Sequence, residues 1–228
     1  MNPSGADEQN SDGSLSLEGA YAIETPEDSR QLYAKWAATY DEDFVQATSY
    51  VYPGNVASAF VEAGGTAGGA VLDVGCGTGV VGVALADLGE STIDGIDISP
   101  EMLDIARLKQ SVYGKAAYRT LLTADMTGPL DVGDDIYNGV ISAGTFTHGH
   151  LGPEPLVELV RIAAPSAVFA IGINAQHYAS HGFDALLGTM VQSGQITAPE
   201  VVDVAIFDTS VGSYAGDRAN VVLFQVRP

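Results

Sequence analysis

The chain has 228 residues, 46% of them hydrophobic and 17% charged, enough apolar material for one sizeable domain. Its charges are lopsided: 29 acidic side chains against 9 basic give a net charge of −20. Neutralising phosphates takes clustered Lys and Arg, so this balance argues against nucleic acid and against an anionic membrane surface as partners. No apolar run approaches the roughly 20 residues that span a bilayer. The N-terminal sequence lacks the basic and apolar regions of a signal peptide, and a single cysteine, Cys76, forms no internal disulfide. The chain reads as soluble and cytoplasmic, a monomer or homodimer. Its acidity serves solvation, tolerance of salt or attraction of a cationic substrate.

Residues 1–25 are rich in Ser, Gly, Asn and acids, with no basic residue before Arg30. Such a segment buries too little apolar area to offset its ordering entropy, which predicts a mobile acidic tail. Residues 26–228 then form a single domain. Pro26, Glu27 and Asp28 open a helix in the manner of a helix N-terminus. Tyr33, Trp36 and Tyr40, three and four apart, line one of its faces. A second helix is expected over 55–63, ending at Gly64 and Gly65. From residue 70 the pattern alternates: strand 70–74, helix 80–88, strand 92–97, helix 100–112, then strands 118–124 and 136–142. Helix 153–163, strand 167–173 and helix 183–192 follow, and two strands, 201–208 and 220–226, close the chain. Alternating units of this kind predict an α/β fold, a doubly wound sheet of seven mainly parallel strands with a final antiparallel hairpin.

The segment Val71-Leu72-Asp73-Val74-Gly75-Cys76-Gly77-Thr78-Gly79 joins a strand to a helix through a glycine-rich turn. Glycines there admit positive φ and let a ligand approach the backbone, and the helix start offers free N–H groups. Gly77 to Gly82 also fits the dinucleotide pattern G-x-G-x-x-G, with Asp97 at the spacing of a ribose-binding acid. Asp73 opposes that reading, because a carboxylate at the strand end repels a pyrophosphate and suits a ligand bearing an ammonium group. The chain also lacks a Tyr-x-x-x-Lys pair and a second domain to handle a hydride.

With Asp73, Gly75, Gly77 and Gly79 in this pattern, the chain resembles the class I S-adenosylmethionine (SAM) methyltransferases. The resemblance implies that the turn, with Cys76 as a small residue filling it, contacts the methionyl part of SAM while Asp73 helps fix its amino group. Gly95-Ile96-Asp97-Ile98-Ser99-Pro100-Glu101-Met102 resembles the second motif of the family, in which Asp97 takes both ribose hydroxyls and Ile98 and Met102 flank the adenine. Asp125, followed by Met126, fills the place of the acid that accepts from the adenine amino group. Ser142 opens the post-strand segment that converges on the same edge. In an open parallel sheet, ligands bind beyond the strand carboxyl ends at the switch point, as these positions require.

The aromatic helix 33–44, the segment 144–150 and Gly182-Phe183-Asp184-Ala185-Leu186 are similar to a small methyltransferase-like family related to the product of the Williams-Beuren deletion region. That likeness implies that the N-terminal helices, about 26–65, close over the cofactor as a lid, with Tyr33, Trp36 and Tyr40 against it. SAM carries an activated methyl group, so such an enzyme mainly aligns donor and acceptor, S-adenosylhomocysteine being the product. His148 and His150 are candidate bases. Thr145, His177, Tyr178 and His181 are candidates for the acceptor pocket. No acid lies between Asp135 and Glu154, so no metal is expected. With no extra substrate domain, the expected acceptor is a small molecule. Two other readings are a SAM-binding protein without turnover and an NAD(P)-dependent oxidoreductase.

Overall fold

A computed structural model describes residues 23–65, 68–90, 92–147, 149–208 and 217–228. The tail expected over 1–25 lies outside the described residues up to position 22. Its last three positions depart from the expectation: Ile23 is buried, and Thr25 caps the first helix.

That helix, α1 (Pro26–Trp36), is fixed by a capping box. The Thr25 hydroxyl accepts from the Asp28 N–H, and the Asp28 carboxylate accepts from the Thr25 N–H. Together with Pro26 in the first turn, this arrangement stabilises the start by about 1 kcal/mol. A short π-helix (Asp41–Gln46) follows, then α2 (Tyr52–Glu62), three residues earlier than its apolar spacing suggests because Pro53 sits in its first turn.

The core alternates as expected: β1 (Val71–Val74), α3 (Val80–Asp87), β2 (Ile93–Asp97), α4 (Pro100–Ala106), β3 (Thr120–Thr123) and β4 (Tyr137–Phe146). There follow α5 (Pro155–Ile162), β5 (Ala163–Asn174), α6 (Ala175–Ser180), α7 (Phe183–Gln192), β6 (Glu200–Ala205) and β7 (Arg218–Gln225). The seven strands run in the order β3-β2-β1-β4-β5-β7-β6. β1 lies parallel between β2 and β4, with Val71 opposite Ile93 on one side and Gly139 on the other. β7 is antiparallel to both β5 and β6. The sheet is therefore the doubly wound, seven-stranded α/β sheet expected from the sequence.

Period-two alternation divides the core. Val71 faces α2 and α3 in a cluster with Phe60, Leu85 and Ile93, while Leu72 and Val74 face Leu156, Phe169 and Phe183 on the other side. Phe60 is fully buried, and its ring fills the space that a Cβ on Gly139 or Gly65 would need. Its burial contributes about 2–3 kcal/mol. A third, smaller cluster (Trp36, Phe44 and Phe207) ties α1 and the π-helix to the far end of β6. No helix among the described residues is long and apolar enough to cross a membrane.

Candidate active site

At the carboxyl edge of the sheet, β1 runs into the turn Gly75–Gly79, where Gly75, Gly77 and Gly79 take φ values of +66°, +52° and +92°. A Cβ on Gly77 would meet nothing within 4 Å, and Gly77 lines a cavity of about 210 Å³, so bare backbone stands open to a ligand there. Asp97, at the end of β2, spans the mouth of this turn. Its Oδ2 accepts from the Gly77 N–H at 2.8 Å and its Oδ1 from the Ser99 N–H at 2.9 Å. Burial raises its pKa, while the N–H groups of Ser99 and Gly77 pull it back. Each oxygen keeps a lone pair for a further donor.

The rest of the cavity is assembled from distant segments. Ile98 and Met102 line it behind Asp97, and Asp125, Met126 and Thr127 line it beyond β3. Asp125 Oδ1 accepts from both the N–H and the hydroxyl of Thr127, which leaves Oδ2 for a ligand. Cys76 is a buried part of the wall, and burial pushes its thiol well above the usual range. Across from the turn stand Thr25, Pro26, Ser29 and Tyr33 of the α1 region, with Tyr40 beside them. Thr145 also lines the cavity, its hydroxyl reaching the carbonyls of Val74 and Gly75. Among the described residues no group of three or more His, Cys, Asp or Glu side chains is placed to hold a metal ion.

His150 lines the same cavity, with Nε2 2.9 Å from the Tyr33 hydroxyl and the two rings 5.6 Å apart. His148 lies outside the described residues. A second cavity of about 320 Å³ adjoins the first and shares Tyr33, Tyr40, Tyr50, Gly144 and His150 with it.

Several expected site residues stand elsewhere. Asp73 is fully buried behind the turn, not on the cavity wall; its Oδ2 accepts from the Tyr118 hydroxyl at 2.6 Å. That hydroxyl in turn accepts from the Gly82 N–H in α3, so Asp73 braces the start of the helix. Ser142 donates to the Val74 carbonyl at 2.7 Å from a buried position and holds β1 against β4. Trp36 is buried against Tyr40 and Phe44, one ring removed from the cavity. His177 bonds the Leu151 carbonyl through Nε2 and packs on His181, while the Tyr178 hydroxyl donates to Asp184. None of these three lines either cavity, because α6 points them back into the segment after β4 and toward solvent.

Two contributors escape a reading of local pattern. Tyr118 fills the space beside Gly82 and Gly95: a Cβ on Gly82 would stand 2.2 Å from its ring. The third glycine of the apparent dinucleotide pattern thus makes room for a tyrosine. Asp41 accepts from the Thr78 hydroxyl of the glycine turn at 2.5 Å and pairs with Lys109 through its other oxygen. The run Asp41-Glu42-Asp43 is its only trace in the sequence.

Residues 71–166 match the family model described as a methyltransferase domain. That match covers less than half of the chain. The matched stretch begins at β1 and takes in the glycine turn, Asp97 and Asp125. Among curated proteins, a ubiquinone biosynthesis O-methyltransferase of Thiobacillus denitrificans is 44% identical over 59 residues, 26% of this chain and 25% of that protein. Human methyltransferase-like protein 27 is 28% identical over 130 residues, 56% of this chain and 51% of that protein. The chain thus spans between a quarter and about half of these relatives. Among solved structures, the magnesium protoporphyrin IX methyltransferase of Synechocystis PCC 6803 aligns with a TM-score of 0.60 at 20% identity, covering 91% of this chain and 99% of that one. That likeness shows that the chain shares this fold.

Proposed function

We propose that this protein is a SAM-dependent methyltransferase acting on a small-molecule acceptor. The observation that carries this reading is the convergence of the glycine turn, Asp97 and Asp125 on one cavity, with open space above Gly77. The donor set fits the cofactor. Asp97 is held by two backbone N–H groups with acceptor capacity left for the ribose hydroxyls, Ile98 and Met102 offer apolar faces to an adenine, and Asp125 Oδ2 accepts its amino group. When bound, SAM supplies an electrophilic methyl group. The chain itself holds the acceptor, excludes water with α1 and the π-helix, and takes up the acceptor's proton. We assign that last task to His150, acting through Tyr33, whose hydroxyl lies at Nε2. The similarity to methyltransferase-like protein 27 supports membership of the small methyltransferase-like family, and helices 26–46 act as the lid. A single buried, unbridged cysteine suits a reducing, cytoplasmic setting.

Calorimetry with S-adenosylhomocysteine tests the cofactor site. Asp97→Ala removes charge-assisted hydrogen bonds worth roughly 1.5–3 kcal/mol and should weaken binding about 10- to 150-fold. Unchanged affinity would sink the assignment. Transfer of a labelled methyl group to a metabolite pool separates the enzyme from a SAM-binding protein without turnover, and NAD(P) titration should give no binding.

A further inference from the structure

We propose that the second cavity is the acceptor subsite and that it takes a compact, uncharged aromatic molecule bearing hydroxyl groups, one of them held by Tyr52. This inference rests on the cofactor reading of the adjoining cavity. Tyr52, in the first turn of α2, is 4% exposed and lines the second cavity, and among the described residues its hydroxyl has no hydrogen-bond partner. A buried phenol is rarely left unpaired, so this one marks where a ligand's polar group belongs. The strand edges are cut back to admit it. A Cβ on Gly172 of β5 would stand 2.3 Å from the Tyr52 oxygen, and one on Gly144 of β4 would stand 3.1 Å from that of Tyr50. Two glycines on neighbouring strands therefore leave room for two phenol hydroxyls at the floor of one cavity.

The walls argue for a ring. Phe44, Tyr50 and Phe207 lean on one another with centroids 4.9–6.3 Å apart, in tilted and T-shaped contacts. A flat aromatic ligand extends that packing at the same distances, whereas an aliphatic one forfeits the ring–ring term. Charge argues against an anion. Arg218, the one Lys or Arg side chain on the wall among the described residues, is paired with Asp203, Asp217 lines the same wall, and the protein as a whole repels anions. His150 and Tyr33 stand on both cavities. A ligand held at Tyr52 by one hydroxyl and lying toward this junction brings its other hydroxyl to them.

Equilibrium binding of catechol, with and without S-adenosylhomocysteine, tests the subsite independently of turnover. Wild-type protein should bind catechol in the millimolar range or tighter. Tyr52→Phe removes one neutral hydrogen bond and should weaken that binding about three- to tenfold. Thr147→Trp fills the second cavity from a residue absent from the first, and should cost more than tenfold. Both variants should bind S-adenosylhomocysteine within about twofold of wild type. Catechol affinities equal in all three proteins would overturn the proposal. So would cyclohexanol or benzyltrimethylammonium binding as tightly as catechol, or intact S-adenosylhomocysteine binding with none of catechol. Failure of S-adenosylhomocysteine to bind the wild type would instead strike the cofactor reading, and the catechol series would still judge the ligand class of the cavity. If Tyr52→Phe fails to fold, Thr147→Trp alone decides.

Discussion

Asp73 is the most constrained side chain of the glycine turn. It is fully buried, its Oδ2 takes the Tyr118 proton donor, and its Oδ1 has no partner among the described residues. Burial outweighs that single bond and pushes the carboxyl from its ordinary 3.8 up to about 7. Between these two values the folded protein holds a proton that the unfolded chain has released. Stability from this group therefore falls as pH rises from about 4 to 7 and is level above it. Asn in its place still accepts from Tyr118 and carries no charge to bury. Relative to wild type, Asp73→Asn should gain melting temperature steadily from pH 5 to 7.5, read by thermal scans. The Asp97 charge adds to the upward shift of Asp73, so the difference reads Asp73 with Asp97 beside it. Parallel curves would mean that Asp73 is ionised throughout.

At the scale of elements, Asp41 ties three parts together. The π-helix reaches the glycine turn through Thr78 and the segment after α4 through Lys109. Removing the carboxylate cuts both ties while leaving the Trp36–Phe44–Phe207 cluster packed. Asp41→Ala should raise amide exchange over residues 26–46 and weaken S-adenosylhomocysteine binding by about tenfold or less, since partly exposed ion pairs are individually weak. Unchanged exchange would show that aromatic packing alone holds this segment. Elements of this kind divide into those legible in the sequence and those that were not. The βα units were legible because their signals are local: a short apolar run, a glycine turn, a capping serine at Ser99. The sequence pattern predicts α4 as far as residue 112, but it ends at Ala106, and beyond it Gln110 bridges back to Ala116 around Gly114, which adopts φ +72°. Its continuing apolar period at Leu108 and Val112 points to solvent, so the pattern carried no core behind it. Asp41 and Tyr118 were illegible as site residues for a related reason. Their partners lie 37 and 45 positions away, and only the folded sheet brings them together. Asp97, Asp125, Gly75 and Gly77 sit in local motifs and line the cavity, whereas Trp36, Ser142 and His177 turn away from it for packing reasons that no spacing encodes.

At the scale of the whole molecule, the order of the last three strands carries a consequence for biosynthesis. Among the described residues β6 pairs in the sheet with β7 alone, and β7 also covers the free edge of β5 from Val168 to Asn174. A chain emerging from the ribosome therefore holds β6 without a partner and β5 with an open, apolar edge until residues 218–225 arrive. Such an edge templates pairing between chains. A chain stopped after Asp217 should accumulate in the insoluble fraction and show no cooperative melt, whereas a soluble, S-adenosylhomocysteine-binding product would show that the sheet closes without β7. During synthesis the interval between β6 and β7 is the window of greatest exposure, and a ribosome stalled there presents a nascent chain for chaperones to shield.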